Sequence, residues 1–393
     1  MTDRDQINEL ITRTDGVLHL EPAFVARTWM KSGRRLGLPP EEYDAGERGE
    51  ICERWLASTT PAANAVTVEG EGISVVRDGA AGHRLDRIVG VAPELVMGES
   101  YAADHDGLGR LAKIFDYGER VPFHIHPPTE EARKIGLNSK DEAYYFLPVG
   151  DLGAHPESFF GLHSSLSRQE ASDELIGHLK RWSDDRVLSM SKGYTLYEEG
   201  GYFVPSGMLH APGTALTLEL QEDSDAMAFL QADCGGVHLS KDLLLGLLDS
   251  EAKAQRGEAA ILDWIDWDLN LMADFHSAYR TPPAVFNAGA GVEESWIFYG
   301  GTKFNGKRLR LDPGASVRSV ENGFYSVFVW SGTGTFGGAA FQGGAMGSDE
   351  FLVCHDRAVR GVEIVNTGNE RVELIKFFGP DINNDVPLVG RNG

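Results

Sequence analysis

Two stretches of the chain are dominated by short runs in which apolar and polar residues alternate, and this period of two predicts β-strands. The first stretch runs from about Ala65 to Asp233 and includes LAKIFDY, VPFHIHP, DEAYYFLPVG, GYFVPSGMLHAPG and ALTLELQ. The second runs from about Glu293 to Pro380 and includes ESWIFYG, YSVFVWSGTGTFGG, DEFLVC and VELIKFFGP. Gly, with 47 residues, falls between these runs more often than inside helical patterns, which is the punctuation of an all-β barrel. Between the stretches, SKDLLLGLLDSEAKAQRGEAAILDWIDWDLNLMADFHSAYR carries apolar residues at spacings of three and four, which predicts helices, with Ser240 as an N-cap. A second helical pattern, SRQEASDELIGHLKRW, interrupts the first stretch, and its Leu175, Ile176, Leu179 and Trp182 define one buried face.

The pattern implies a mainly β protein with two barrels, helical insertions and a helical connecting segment. The expected division is residues 1–235, 236–285 and 286–393, in keeping with a chain of 393 residues. A composition of 42% hydrophobic and 24% charged residues is that of a globular protein able to bury two cores. The formal net charge of -23 disfavours nucleic acid and anionic membranes, which would be repelled at long range, and favours a small-molecule substrate. Cys52, Cys234 and Cys354 are far apart and form no CxxC pair, so neither a disulfide framework nor a thiolate metal site is expected. The charged start, MTDRDQINELITRTDG, and the lack of a long apolar run imply a cytoplasmic protein. Self-association into a homo-oligomer is compatible with all of this.

Residues two apart on a strand face the same way, so His124 and His126 in FHIHP project together while Ile125 faces away. Glu142 opens the next apolar run, and His210 follows the turn PSG. Together the four offer three nitrogens and one carboxylate oxygen, a set suited to one zinc, manganese, iron, cobalt or nickel ion and unsuited to calcium or magnesium. Glu130 and Glu131 lie closer in sequence, but EEARKIG reads as helix or loop. The second stretch has only His355, without a partner two residues away, and SGTGTFGGAAFQGG reads as turns and not as a phosphate-binding loop.

Five segments in order, LHLEPAFVARTWMKSGRRLG, ERWLAST, LAKIFDYGERVPFHIHP, SKDEAYYFL and YFVPSGMLHAPG, resemble the type I mannose-6-phosphate isomerase family. That family consists of metal-dependent two-cupin (double-stranded β-helix, or jelly-roll) enzymes. The resemblance implies zinc as the first choice of metal, with His124 where the family usually has Gln. It also places the family's active-site Lys on Lys140 and a family glutamate on Glu219, with Gln221 on the same strand face. The family's active-site Arg falls on Phe229, in SDAMAFLQAD, with no Arg or Lys following until Lys241. Arg suits phosphate through bidentate charge-assisted hydrogen bonds, so its replacement points away from mannose 6-phosphate.

The expected activity is therefore aldose–ketose isomerisation through an enediol, on an unphosphorylated or otherwise altered sugar. Lys140 or Glu219 would take part in proton transfer, and Phe229 and Gln221 in substrate contact. A metal-cupin dioxygenase and a catalytically inactive sugar-binding bicupin are the alternatives.

Overall fold

The computed structural model describes residues 3–78 and 81–390. In chain order the strands are β1 (Val17–Glu21), β2 (Ala23–Arg27), β3 (Glu50–Leu56), β4 (Val75–Asp78), β5 (Ala81–Arg84), β6 (Leu111–Phe115), β7 (His124–Ile125), β8 (Glu142–Phe146), β9 (Glu157–Leu162), β10 (Ser191–Thr195), β11 (Gly201–Val204), β12 (His210–Ala211), β13 (Thr217–Gln221) and β14 (Ala228–Phe229). Further strands follow Tyr279. The first unit has a six-stranded sheet in the order β11-β8-β13-β6-β3-β2 and a five-stranded sheet in the order β10-β9-β12-β7-β14. Every residue of β6, β8 and β13 is buried. Covered on both faces, these central strands can be largely apolar, and the few charged residues on them must find partners inside the protein.

The second unit has a nine-stranded sheet and a four-stranded sheet. Its large sheet draws on both ends of the chain. β1 pairs with Glu350–Val353 in the register Val17 to Val353, and β4 and β5 extend the same sheet. Leu18, Leu20 and Val76 accordingly share a core with Phe351, Leu352 and Leu374. This is the mainly β architecture with helical insertions that the sequence implies. The Gly-rich segment read as turns is in fact largely a hairpin of Thr333–Phe336 with Ala339–Gln342, joined at Gly337 and Gly338, which have positive φ.

The helical insertion spans Arg168–Arg181 and starts with a capping box in which Ser167 and Glu170 satisfy each other's backbone donors. Ala171, Leu175 and Leu179 are its buried side chains, whereas Ile176 and Trp182 are only partly covered. The connecting segment forms short helical pieces, Asp242–Leu245, Ser250–Arg256, Gly257–Trp264, Trp267–Asn270 and Phe275–Tyr279. The first begins at Asp242 with Lys241, and not the expected Ser240, at the N-cap, although Asp242 N–H donates to Ser240 Oγ at 3.2 Å. These pieces lie against the five-stranded sheet, where Leu244, Ile261 and Trp264 pack with Ile125 and Leu209.

The two units are joined by buried ion pairs. Arg54 donates to both carboxylate oxygens of Asp349 at 2.8 Å and to Glu350 at 3.0 Å, and Arg110 donates to Ser326 Oγ at 2.8 Å. No helix among the described residues is long and apolar enough to cross a membrane. The three cysteines are buried and free.

Candidate metal centre

His210 is the register partner of His124, so the two imidazoles rise side by side from the five-stranded sheet, with ring centroids 4.0 Å apart. His126 follows one residue after β7, and its ring lies 5.0 Å from His124 and 5.1 Å from His210. The coordinating nitrogens of the three all lie within 4.8 Å of one another, and among the described residues this is the only such group. His355 instead begins a surface helix, next to Asp356.

The turn that presents His210 is clamped by the connecting segment. Asn270 accepts from Leu209 N–H at 2.8 Å and donates to Gly207 O at 2.7 Å. Asp141 Oδ1 accepts from Ser206 N–H at 2.8 Å. Gly207 has φ +84°, and a Cβ there would come within 3.0 Å of the Trp264 carbonyl, so this turn demands Gly.

Each imidazole has its tautomer set by a backbone carbonyl, which can only accept a hydrogen bond. Nδ1 of His124 bonds Pro122 O at 2.8 Å, Nδ1 of His126 bonds Ala226 O at 2.7 Å, and Nδ1 of His210 bonds Met208 O at 2.9 Å. Nδ1 therefore carries the proton, and Nε2 offers a lone pair. Burial, reinforced by His210, holds the His124 imidazolium well below its ordinary range. Burial lowers His126 to about 4, Glu142 opposing and Lys140 adding to the effect. Metal binding requires neutral imidazoles of this kind.

Glu142 meets two of these nitrogens, those of His126 and His210, from the opposite sheet. Its Oε1 lies 2.9 Å from His126 Nε2 and its Oε2 lies 3.2 Å from His210 Nε2. Both Nε2 atoms are buried without a hydrogen-bond partner. A lone-pair nitrogen facing a carboxylate oxygen at such a distance is repulsive unless a cation lies between them, so this donor set fits a divalent metal ion. Lys140 Nζ is 2.8 Å from Glu142 Oε1, and Tyr144 Oη donates to Oε2. Burial would raise the Glu142 carboxyl, but its contact with the His126 ring and the ammonium of Lys140 outweigh it and hold it well below the usual carboxylate range.

Glu219 faces the same interior from β13, opposite Tyr144 and Lys113 in register. Lys113 Nζ lies 3.2 Å from Glu219 Oε2 and 3.8 Å from Glu53 Oε2. Burial, followed by the charge of Glu142, pushes the Glu219 carboxyl up to about 8. Glu53 in turn accepts from Arg27 Nε at 2.6 Å, Trp55 Nε1 at 2.7 Å and Tyr117 Oη at 2.7 Å. Lys113 and Glu53 were missed in the sequence, although a signal was there. In LAKIF and CERWL each charged residue alternates in step with inward apolar neighbours, Leu111 and Phe115 in one run and Trp55 in the other.

Phe229 is the register partner of His124 and is 1% exposed. Its ring packs edge-on against Trp29 at 5.0 Å and lies 6.0 Å from His124. The expectation that no basic residue stands near this position holds only along the chain. In space, Arg27 lies close to Trp29, which packs on Phe229, and the Arg27 Cζ is 5.9 Å from the Trp29 ring. Its guanidinium is consumed by Glu53, Asp225, the Ala63 carbonyl and Asn64. In this interior three cations, Arg27, Lys113 and Lys140, meet four carboxylates, Glu53, Glu142, Glu219 and Asp225, and all seven side chains are at most 4% exposed. Gln221, one inward position beyond Glu219, is also fully buried.

No protein-family model matches the sequence, and neither does any curated protein sequence. Solved structures do. Mannose 6-phosphate isomerase from Bacillus subtilis superposes with a TM-score of 0.62 at 17% identity, over 92% of this chain and 99% of that one. A point variant of phosphomannose isomerase from Salmonella typhimurium gives 0.61 at 12% identity, over 93% and 100%. A zinc-bound mannose 6-phosphate isomerase gives 0.60 at 11% identity, over 93% and 100%. At these identities the likeness establishes the fold, which this chain shares with the mannose 6-phosphate isomerases along nearly its whole length.

Proposed function

We propose that this chain is a divalent-metal-dependent aldose–ketose isomerase acting on a sugar without a phosphate group. The observation that carries the reading is the convergence of three Nε2 lone pairs and the Glu142 carboxylate beside the buried Lys113–Glu219 pair. The similarity in fold to mannose 6-phosphate isomerases supports it.

His124, His126, His210 and Glu142 would hold the ion, with zinc the first choice. When bound, such an ion supplies Lewis acidity toward a carbonyl and its neighbouring hydroxyl. The residues of the chain supply the rest. Lys140 and Tyr144 hold the two oxygens of Glu142 in place. Glu219 and Lys113, both buried and 3.2 Å apart, are the pair through which a proton passes between adjacent sugar carbons. Closure of the interior keeps water from the enediol.

The choice of an uncharged sugar rests on the charge balance. Each buried cation is already matched by a carboxylate, and Phe229 stands where a phosphate-binding Arg would be needed. Metal analysis of the purified protein, followed by a screen for ketose formation over free and phosphorylated aldoses, tests the reading. A second reading, oxygen activation at iron, nickel or manganese, is favoured by the third imidazole, His124. The same metal analysis separates the two, because zinc has no redox chemistry.

A further inference from the structure

The side-chain carbonyl of Gln221 is a buried acceptor without a partner. The residue is 0% exposed and closes β13, where its register partners are Glu142 on one side and Leu111 on the other. Parity places it on the face that carries Glu219, and residues directly opposite on paired strands have neighbouring side chains. Gln221 therefore flanks Glu142 inside the first unit.

The orientation of its amide is decided by what surrounds the nitrogen. Nε2 donates to the carbonyl of Ser224 and, at 3.2 Å, to that of Glu222. Both partners can only accept, so the amide cannot turn over without setting oxygen against oxygen. Oε1 is thus held facing away from that turn with its lone pairs free. An unmet buried carbonyl is unfavourable, and a ligand hydroxyl or an ordered water supplies the missing donor at such a position.

The second unit holds this arrangement rigid. Lys303 Nζ donates to Glu222 Oε2 at 2.8 Å and to Ser139 Oγ at 3.1 Å, and it pairs with Asp141 at 3.2 Å. Glu222 also accepts from Asp141 N–H at 2.8 Å, and Ser224 Oγ donates to Asn138 O at 3.1 Å. The turns flanking Gln221 and Lys140 are therefore tied to each other and to the second unit. A supported polar group of this kind is suited to fixing a ligand within a fraction of an ångström.

We infer that Gln221 Oε1 accepts a hydrogen bond from one hydroxyl of the substrate and is a specificity-determining residue for a neutral polyhydroxylated ligand. This rests on the isomerase reading and adds to it a named hydroxyl acceptor. A ligand lacking that hydroxyl leaves the acceptor unpaired and is rejected, and so is one with a carboxylate there, whose lone pairs oppose those of Oε1.

The experiment uses the metal-loaded full chain and non-reacting hexitols, mannitol and glucitol, with their monodeoxy analogues, titrated by calorimetry. On the unaltered protein, one deoxy position should lower affinity by roughly tenfold to a hundredfold relative to the parent hexitol. In Gln221→Met that difference should vanish while differences at other positions persist. Lys303→Met, which leaves Gln221 untouched, should reduce the discrimination in part. If the parent hexitol binds and the deoxy series is indistinguishable on the unaltered protein, or if the Met variant keeps the same pattern, the assignment of Gln221 is overturned and the isomerase reading stands. If no hexitol binds the metal-loaded protein, both fall together.

Discussion

Lys113 Nζ and Glu219 Oε2 lie 3.2 Å apart across directly paired positions of β6 and β13, and both side chains are buried. Burial penalises each charge alone, and the ammonium of Lys113 opposes the rise that burial and Glu142 impose on the Glu219 carboxyl. Lys113→Met should lower kcat by roughly a hundred- to ten-thousand-fold while the metal content stays unchanged. Turnover and bound metal measured on one preparation decide it. Unchanged turnover would reduce the pair to a structural one.

The unaltered protein is expected to hold about one tightly bound divalent ion, because three imidazole nitrogens and the Glu142 carboxylate would bind it and leave room in its shell for substrate oxygens. His126→Ala or Glu142→Ala removes a ligand and should abolish binding, whereas Lys140→Met should keep the ion and impair turnover. His355→Ala, distant on a surface helix, serves as the control. Elemental analysis of the four variants reads the outcome. Full occupancy in a doubly altered His126, Glu142 protein would defeat the assignment.

Phe229 fills the space between Trp29 and His124 with an uncharged ring. A free aldose should therefore be turned over with a higher kcat/KM than its 6-phosphate, and Phe229→Arg should move the ratio toward the phosphate. The comparison is made at one ionic strength, since screening alone changes how a charged substrate interacts with the protein. A preference of the unaltered protein for the phosphate would mean that another group recognises it.

Arg27 is shared between Glu53 and Asp225 inside the protein. Arg27→Met keeps the stem and removes the charge, leaving buried Asp225 without its cation and Glu53 with only Lys113 at 3.8 Å. The expected loss of stability is about 3–5 kcal/mol, read from urea unfolding. A loss under 1 kcal/mol, as is typical of an exposed pair, would show that the carboxylates rearrange.

Glu350 predicts a pH dependence. The single guanidinium of Arg54 already binds both oxygens of Asp349, and burial pushes the Glu350 carboxyl up to about 7 from an ordinary value near 4.5. The folded state thus binds this proton more tightly than the unfolded state. The stability it contributes is full below about pH 4.5 and lost as pH rises through about 7, with a slope of at most about 1.4 kcal/mol per pH unit. Glu350→Gln should remove that component, seen as the difference between the two unfolding profiles. Parallel profiles from pH 4.5 to 8 would refute it.

Local chemistry in the sequence by itself determined several parts of this protein. Alternation of apolar and polar residues specified the strands, and the Ser167–Glu170 pair specified where the long helix starts, because periodicity and caps depend on near neighbours. The order HxH and His likewise pointed to the three imidazoles that the fold brings together, since two of them share a strand face by spacing alone. Only the tertiary structure decided that β1 joins a sheet built from the other end of the chain, and that Arg27 meets Asp225, 198 positions away. It also decided that Lys113, Glu53 and Glu219 line one interior. Strand pairing and register are set by burial of whole faces against distant partners, and a shift of one residue would turn each of these charges outward. No short window of sequence carries that information.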